Sequence, residues 1–109
     1  MSGVDLLNEL NSLTEKLRQS TKELAESGKE YATKQRDYKI ALSQAVLKRK
    51  SQGYPVTIVL QIANGDTANE RFERDTAEVL YKASLENINT LKTLIRVLEN
   101  QIAKEWGNG

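Results

Sequence analysis

The chain has 109 residues, with 16 Lys and Arg against 15 Asp and Glu, a single proline, no histidine and no cysteine. A chain this short fits one domain and buries only about 60–65% of the surface its unfolded form exposes, so a monomer would be thinly cored. Without Cys there is no disulfide framework and no thiolate nucleophile. Without His the usual neutral-pH acid/base and the commonest transition-metal ligand are both missing. The expectation is a protein with no catalytic, metal-binding or cofactor-binding residues, and so not an enzyme. A hydrophobic share of 39% beside 28% charged residues suits elongated helices with one apolar stripe each. The first thirteen residues have no basic start, apolar run or small-residue cleavage site, which points to a cytoplasmic protein. The longest nearly uncharged apolar segment, residues 54–63, falls far short of the ~20 residues a bilayer span needs, so no membrane partner is expected. A net charge of +1 creates no general field for nucleic acid or anionic lipid, so any such binding must come from a local patch.

In chain order, Leu10, Leu17, Leu24, Tyr31, Tyr38 and Ala45 recur at intervals of seven, and Leu6, Leu13, Ser20, Ser27, Lys34 and Ala41 fill the interleaved positions. This heptad predicts one long helix over about residues 4–51. Ser20, Ser27 and Lys34 make the middle of the second set a poor two-stranded seam, which argues for a bundle helix rather than a free coiled coil. Ser27-Gly28 is the expected kink, because a mid-helix glycine costs about 1 kcal/mol relative to alanine. Lys48, Arg49 and Lys50 suit the last turn, Gly53 the left-handed cap, and Pro55 cannot continue the helix.

The connector, residues 54–65, contains the run Val56-Thr57-Ile58-Val59-Leu60-Gln61-Ile62-Ala63. Its β-branched content allows a strand, but such a strand has no partner elsewhere in the chain. Pro55 at its start and Asn64-Gly65 at its end favour a short helix. A second long helix is expected over about residues 67–104. It opens on a Thr67-x-x-Glu70 capping box and frays through Trp106-Gly107-Asn108-Gly109. Its stripe is Tyr81, Ile88, Ile95 and Ile102 with Ala77, Ser84, Leu91 and Leu98, flanked by Leu80 and Leu94. The expected fold class is all-α: a long antiparallel helical hairpin with a short helical connector. Each apolar stripe is wider than one hairpin covers, so a homodimer forming a four-helix bundle is expected.

Three charge and aromatic features are candidate interaction sites. The first is Lys34, Arg36, Lys39, Lys48, Arg49 and Lys50, six cations against the single anion Asp37. With Tyr31 and Tyr38 nearby, this segment is the candidate nucleic-acid contact. The alternative is structural: a hairpin sets the basic segment beside the acidic start of the second long helix, where Asp66, Glu70, Glu73, Asp75 and Glu78 outnumber Arg71 and Arg74. The tyrosines would then belong to the core. Second, Arg71 and Arg74 can act as a recognition strip or as the i,i+4 pairs Glu70–Arg74 and Arg71–Asp75. Third, Trp106 is either a partner anchor or packs against the far end of the hairpin. Glu23/Glu26 and Glu70/Glu73 read as solvated surface charge, since a di-metal carboxylate bundle needs Glu-x-x-His motifs. Asn64-Gly65-Asp66 reads as turn chemistry rather than a phosphate loop. The connector lacks the Trp-x-Gly turn of secreted helical-hairpin proteins.

Two groups of residues carry a resemblance. One is Arg36-Asp37-Tyr38-Lys39-Ile40-Ala41-Leu42 with Gly53-Tyr54-Pro55-Val56-Thr57. The other is Arg71-Phe72-Glu73-Arg74-Asp75 with Leu80-Tyr81-Lys82-Ala83, continuing to Leu98-Glu99-Asn100-Gln101-Ile102 and Trp106-Gly107. Together they resemble a group of small, mostly uncharacterised proteins of phages and prophages of Gram-positive bacteria, over about residues 30–107. The resemblance implies a viral setting inside a bacterial host cell. Small helical proteins there serve as replication or recombination accessories or as inhibitors of host defence. The resemblance brings no catalytic or binding residue with it; the surplus apolar stripes and the missing catalytic residue types are what point to an unidentified protein partner.

Overall fold

The computed structural model describes residues 3–107. Every regular element among them is a helix: α1, Gly3–Ser51; α2, Val56–Asp66; and α3, Ala68–Gly107. Residues 56–63 are thus helix and not strand. The expected fraying at Asn108 and Gly109 lies outside the described residues, while Trp106 and Gly107 are helical.

α1 ends by the mechanism its sequence suggests. Gly53 takes φ +87°, its N–H donates to the Lys50 carbonyl at 3.0 Å, and the Tyr54 N–H donates to the Arg49 carbonyl at 3.3 Å. This is the glycine-centred C-cap that satisfies the last carbonyls of a helix. The α2–α3 junction differs from expectation. α2 runs on through Asn64-Gly65 to Asp66, so this dipeptide is not a turn. Thr67 does not close a capping box either. Its hydroxyl donates to the Ala63 carbonyl at 2.8 Å, and its N–H goes to the same oxygen at 3.1 Å. Thr67 therefore serves the end of α2 with its side chain while its own carbonyl accepts the Arg71 N–H at 3.0 Å to begin α3. With one residue between two helices, that hydroxyl has a closer acceptor behind it than the donor ahead.

The chain forms two compact units, Met1–Glu26 with Lys82–Gly109, and Ser27–Tyr81. In the first, Leu6, Ile88, Leu91 and Leu98 are the buried apolar side chains. Buried Ser20 accepts a hydrogen bond from the Asn87 side-chain amide at 3.0 Å, so the weak seam position is filled by a polar pair. The Trp106 indole lies against Gly3, filling the space a Cβ there would need. These contacts make the α1 and α3 segments of this unit antiparallel.

In the second unit Ala45, Val59, Ala63 and Ala77 are buried with Thr67, and three of these four apolar residues are alanines. Small side chains let α2 approach the longer helices closely. The α1 and α3 segments are antiparallel here too. Tyr31 packs on Tyr81 with ring centroids 5.9 Å apart, and its hydroxyl donates to Glu78 at 3.2 Å. Helix is unbroken through Ser27-Gly28. The glycine has a packing reason, since a Cβ there would sit 3.2 Å from the Tyr81 ring.

Candidate interaction surface

The basic segment of α1 is partly neutralised within its own unit. Lys34 Nζ lies 3.2 Å from Glu73 and 3.9 Å from Glu30. The hydrogen bond to Glu73 raises the Lys34 pKa, with the charges of Glu73 and Glu30 adding to it. Arg49 grips Asp66 with two bonds of 2.7 Å, from Nε and Nη2. These hydrogen bonds raise the arginine pKa and hold the aspartate below its ordinary value. Such bidentate geometry fixes the α1–α2 corner more firmly than a point-charge pair would. Arg36 reaches the adjacent Asp37 at 3.4 Å. Lys39, Lys48 and Lys50 are exposed, and no ion pair engages them among the described residues.

The aromatic part of the nucleic-acid expectation meets a physical obstacle. Tyr31 is half-buried against Tyr81, and the Arg74 guanidinium covers the Tyr38 ring at 4.5 Å from its centroid. A base stacking on Tyr38 would have to displace a cation already seated on it. Arg74 also bonds Asp75 at 2.7 and 3.0 Å, which raises its pKa. The expected i,i+4 pairs Glu70–Arg74 and Arg71–Asp75 are therefore replaced. Arg74 turns across to α1 and takes Asp75 with it, Arg71 is half-buried without an ion pair among the described residues, and one Glu70 carboxylate oxygen is buried without a hydrogen bond. The Trp106 indole packs on Gly3 and remains 59% exposed.

No family model, curated protein or solved structure matches the chain. Among the described residues no group of three or more Asp, Glu, His or Cys is placed to hold a metal ion, and no helix is long and apolar enough to cross a membrane.

The most prominent surface feature is apolar and was not among the candidates drawn from the sequence. In the Ser27–Tyr81 unit, Phe72 is 71% exposed, with Val79 and Leu80 beside it at 65% and 59%. Phe72, Thr76 and Leu80, at spacing i, i+4, i+8 on α3, line a shallow open depression between α3 and α1 together with Glu30, Lys34, Glu73 and Ala77. On α1 and α2, Leu42, Ser43, Val46, Leu47 and Leu60 line an open groove of about 390 Å³. The signal for both was present in the sequence. Phe72, Leu47 and Leu60 are apolar residues outside the stripes that the heptads assign to the core.

Proposed function

We propose that this protein is a non-enzymatic, all-helical protein-binding module that works as an oligomer in a phage or prophage setting. One observation carries the reading. Among the described residues fifteen large apolar side chains are exposed, while only eight hydrophobic residues are buried and three of those are alanines. Soluble monomers rarely leave contiguous apolar surface open, and such surface marks an interface. The antiparallel pairing of α1 with α3 inside each unit supports a hairpin as the subunit. A bundle that draws its helices from more than one copy would cover the surplus face, the simplest such assembly being a four-helix dimer. The test is sedimentation velocity across micromolar concentrations. Concentration-dependent association is expected, and a monomer throughout the range would remove the self-assembly reading.

A second reading rests on Lys39 and Lys50, exposed and unpaired on one face of α1, which leaves a nucleic-acid accessory role open to these two cations. It predicts DNA binding that weakens steeply with salt. A flat anisotropy titration at low salt would remove it.

A further inference from the structure

Within the Ser27–Tyr81 unit, the outer face of α1 carries a charge pattern that the core does not explain. Tyr31, Tyr38 and Ala45 mark the packed side of the helix, Tyr31 on Tyr81, Tyr38 under Arg74 and Ala45 buried. Lys29, Arg36, Ser43 and Lys50 follow the same seven-residue repeat. Arg36, Ser43 and Lys50 each stand five residues after one of those three, about 140° round the helix and so turned to solvent. All four are exposed, as is Lys39, three residues after Arg36 and four before Ser43. Between Lys29 and Lys50, the other residues three or four positions from this line are Ala32, Thr33, Ile40, Val46 and Leu47, none of them acidic or aromatic. The carboxylates next in sequence, Glu30 and Asp37, fall about 100° further round. Glu30 lies 3.9 Å from Lys34, and Asp37 reaches Arg36 at 3.4 Å. Lys29, Lys39 and Lys50 have no ion pair among the described residues. A surface that only meets water intersperses both signs, whereas this face carries the cations Lys29, Arg36, Lys39 and Lys50 and no anion.

We infer that this face binds the phosphate backbone of double-stranded nucleic acid without reading its sequence. This rests on the second reading above and names the strand state and the contact. Lys29 and Lys50 are 21 positions apart on one helix. That is about 32 Å at 1.5 Å per residue, close to one duplex turn of about 34–36 Å. Duplex DNA presents a charge about every 1.7 Å along its axis, so cations about 10 Å apart meet phosphates in any register. Lysine on its flexible stem acts as a point charge suited to such contacts, and Arg36 adds a fork for one phosphate. A single strand would instead call for exposed aromatic rings on which bases stack. The face offers none, and Tyr31 and Tyr38 are already engaged by Tyr81 and Arg74.

Fluorescence anisotropy with the full-length chain tests this, using a DNA duplex of about 20 base pairs, or two helical turns, and each of its strands alone. The duplex should bind more tightly than either strand. With four phosphate contacts, duplex affinity should fall about a hundredfold from about 50 to about 200 mM salt. Lys29→Gln with Lys39→Gln and Lys50→Gln should lose most of that affinity and flatten the salt dependence. All three side chains are exposed, so circular dichroism should show helix content retained. Lys48→Gln removes an exposed cation about 160° round the helix from Lys50 and should change little. Ser43→Lys fills the uncharged place in the repeat and should tighten binding and steepen its salt dependence, a gain that misfolding cannot mimic. If a single strand matches the duplex, if the triple variant binds as wild type does, or if Ser43→Lys leaves binding unchanged, the inference is wrong and nucleic acid binds through another surface. Polyglutamate that displaces the duplex at equal charge concentration would also overturn it, by showing that the face takes an acidic protein. No binding to duplex or strand at low salt removes both the inference and the reading beneath it. Should the triple variant lose helix, Ser43→Lys carries the test alone.

Discussion

Leu94 and Leu98 stand one turn apart on α3 and differ only in environment, Leu98 being 4% exposed and Leu94 47%. Truncating each to alanine removes the same three carbon atoms. At about 0.8 kcal/mol per buried CH2, full burial makes that loss about 2.4 kcal/mol. At Leu98 the cavity left in the core raises the cost to about 3 kcal/mol. At Leu94 roughly half of the transfer free energy is at stake, about 1.2 kcal/mol. No closed cavity forms there, and the better helix propensity of alanine returns a few tenths of a kcal/mol. The two variants should therefore differ by about 2 kcal/mol, or about 8–16 °C in Tm for a domain of this size. Urea and thermal unfolding followed by far-UV circular dichroism, repeated over a range of protein concentrations, measures this. Equal costs at the lowest concentration would refute the assignment of Leu98 to the core and Leu94 to the surface. A Leu94→Ala cost that grows with concentration would show that a second copy covers this face.

Gly28→Val should destabilise by about 1–3 kcal/mol despite valine's better helix propensity, because its branched carbons would enter the Tyr81 ring. A raised Tm would show that the ring gives way freely. Asp66 is held below the ordinary aspartate value of about 3.9 by its hydrogen bonds to Arg49. Its contribution is therefore fully present above about pH 4 and is lost as the pH falls through the lower folded-state value. The stability gap between wild type and Asp66→Asn should close in that acid window and hold steady at neutral pH; a gap independent of pH throughout would contradict the pairing. Trp106 is the chain's single tryptophan, so its fluorescence reports on one contact. Gly3→Leu should push the indole into water and move its emission to longer wavelength, and an unchanged spectrum would deny the packing on Gly3.

Much of the fold was legible in the sequence because it is local. Heptad spacing marks long helices, since side chains four residues apart share a face wherever the helix goes. Lys48-Arg49-Lys50 followed by Gly53 and Pro55 stops α1 through backbone chemistry that needs no neighbour. Pro55 and the absence of any partner strand pointed to helix for residues 56–63.

What stayed hidden depends on which groups two helices bring together. Thr67-x-x-Glu70 spells a capping box, but the hydroxyl chooses by proximity, and a helix ending directly behind it offers the Ala63 carbonyl first. Arg74 has Glu70 in ideal i,i+4 spacing, yet the Tyr38 ring across the interface draws its guanidinium away. Gly28 also leaves room for the Tyr81 ring, a contact that no spacing along the chain spells out. The outlying Phe72 and Leu60 could be counted in the sequence, but spacing along a helix does not say whether a neighbour covers a face. Burial is a property of pairs of elements, and so only the tertiary structure revealed which apolar side chains stay uncovered.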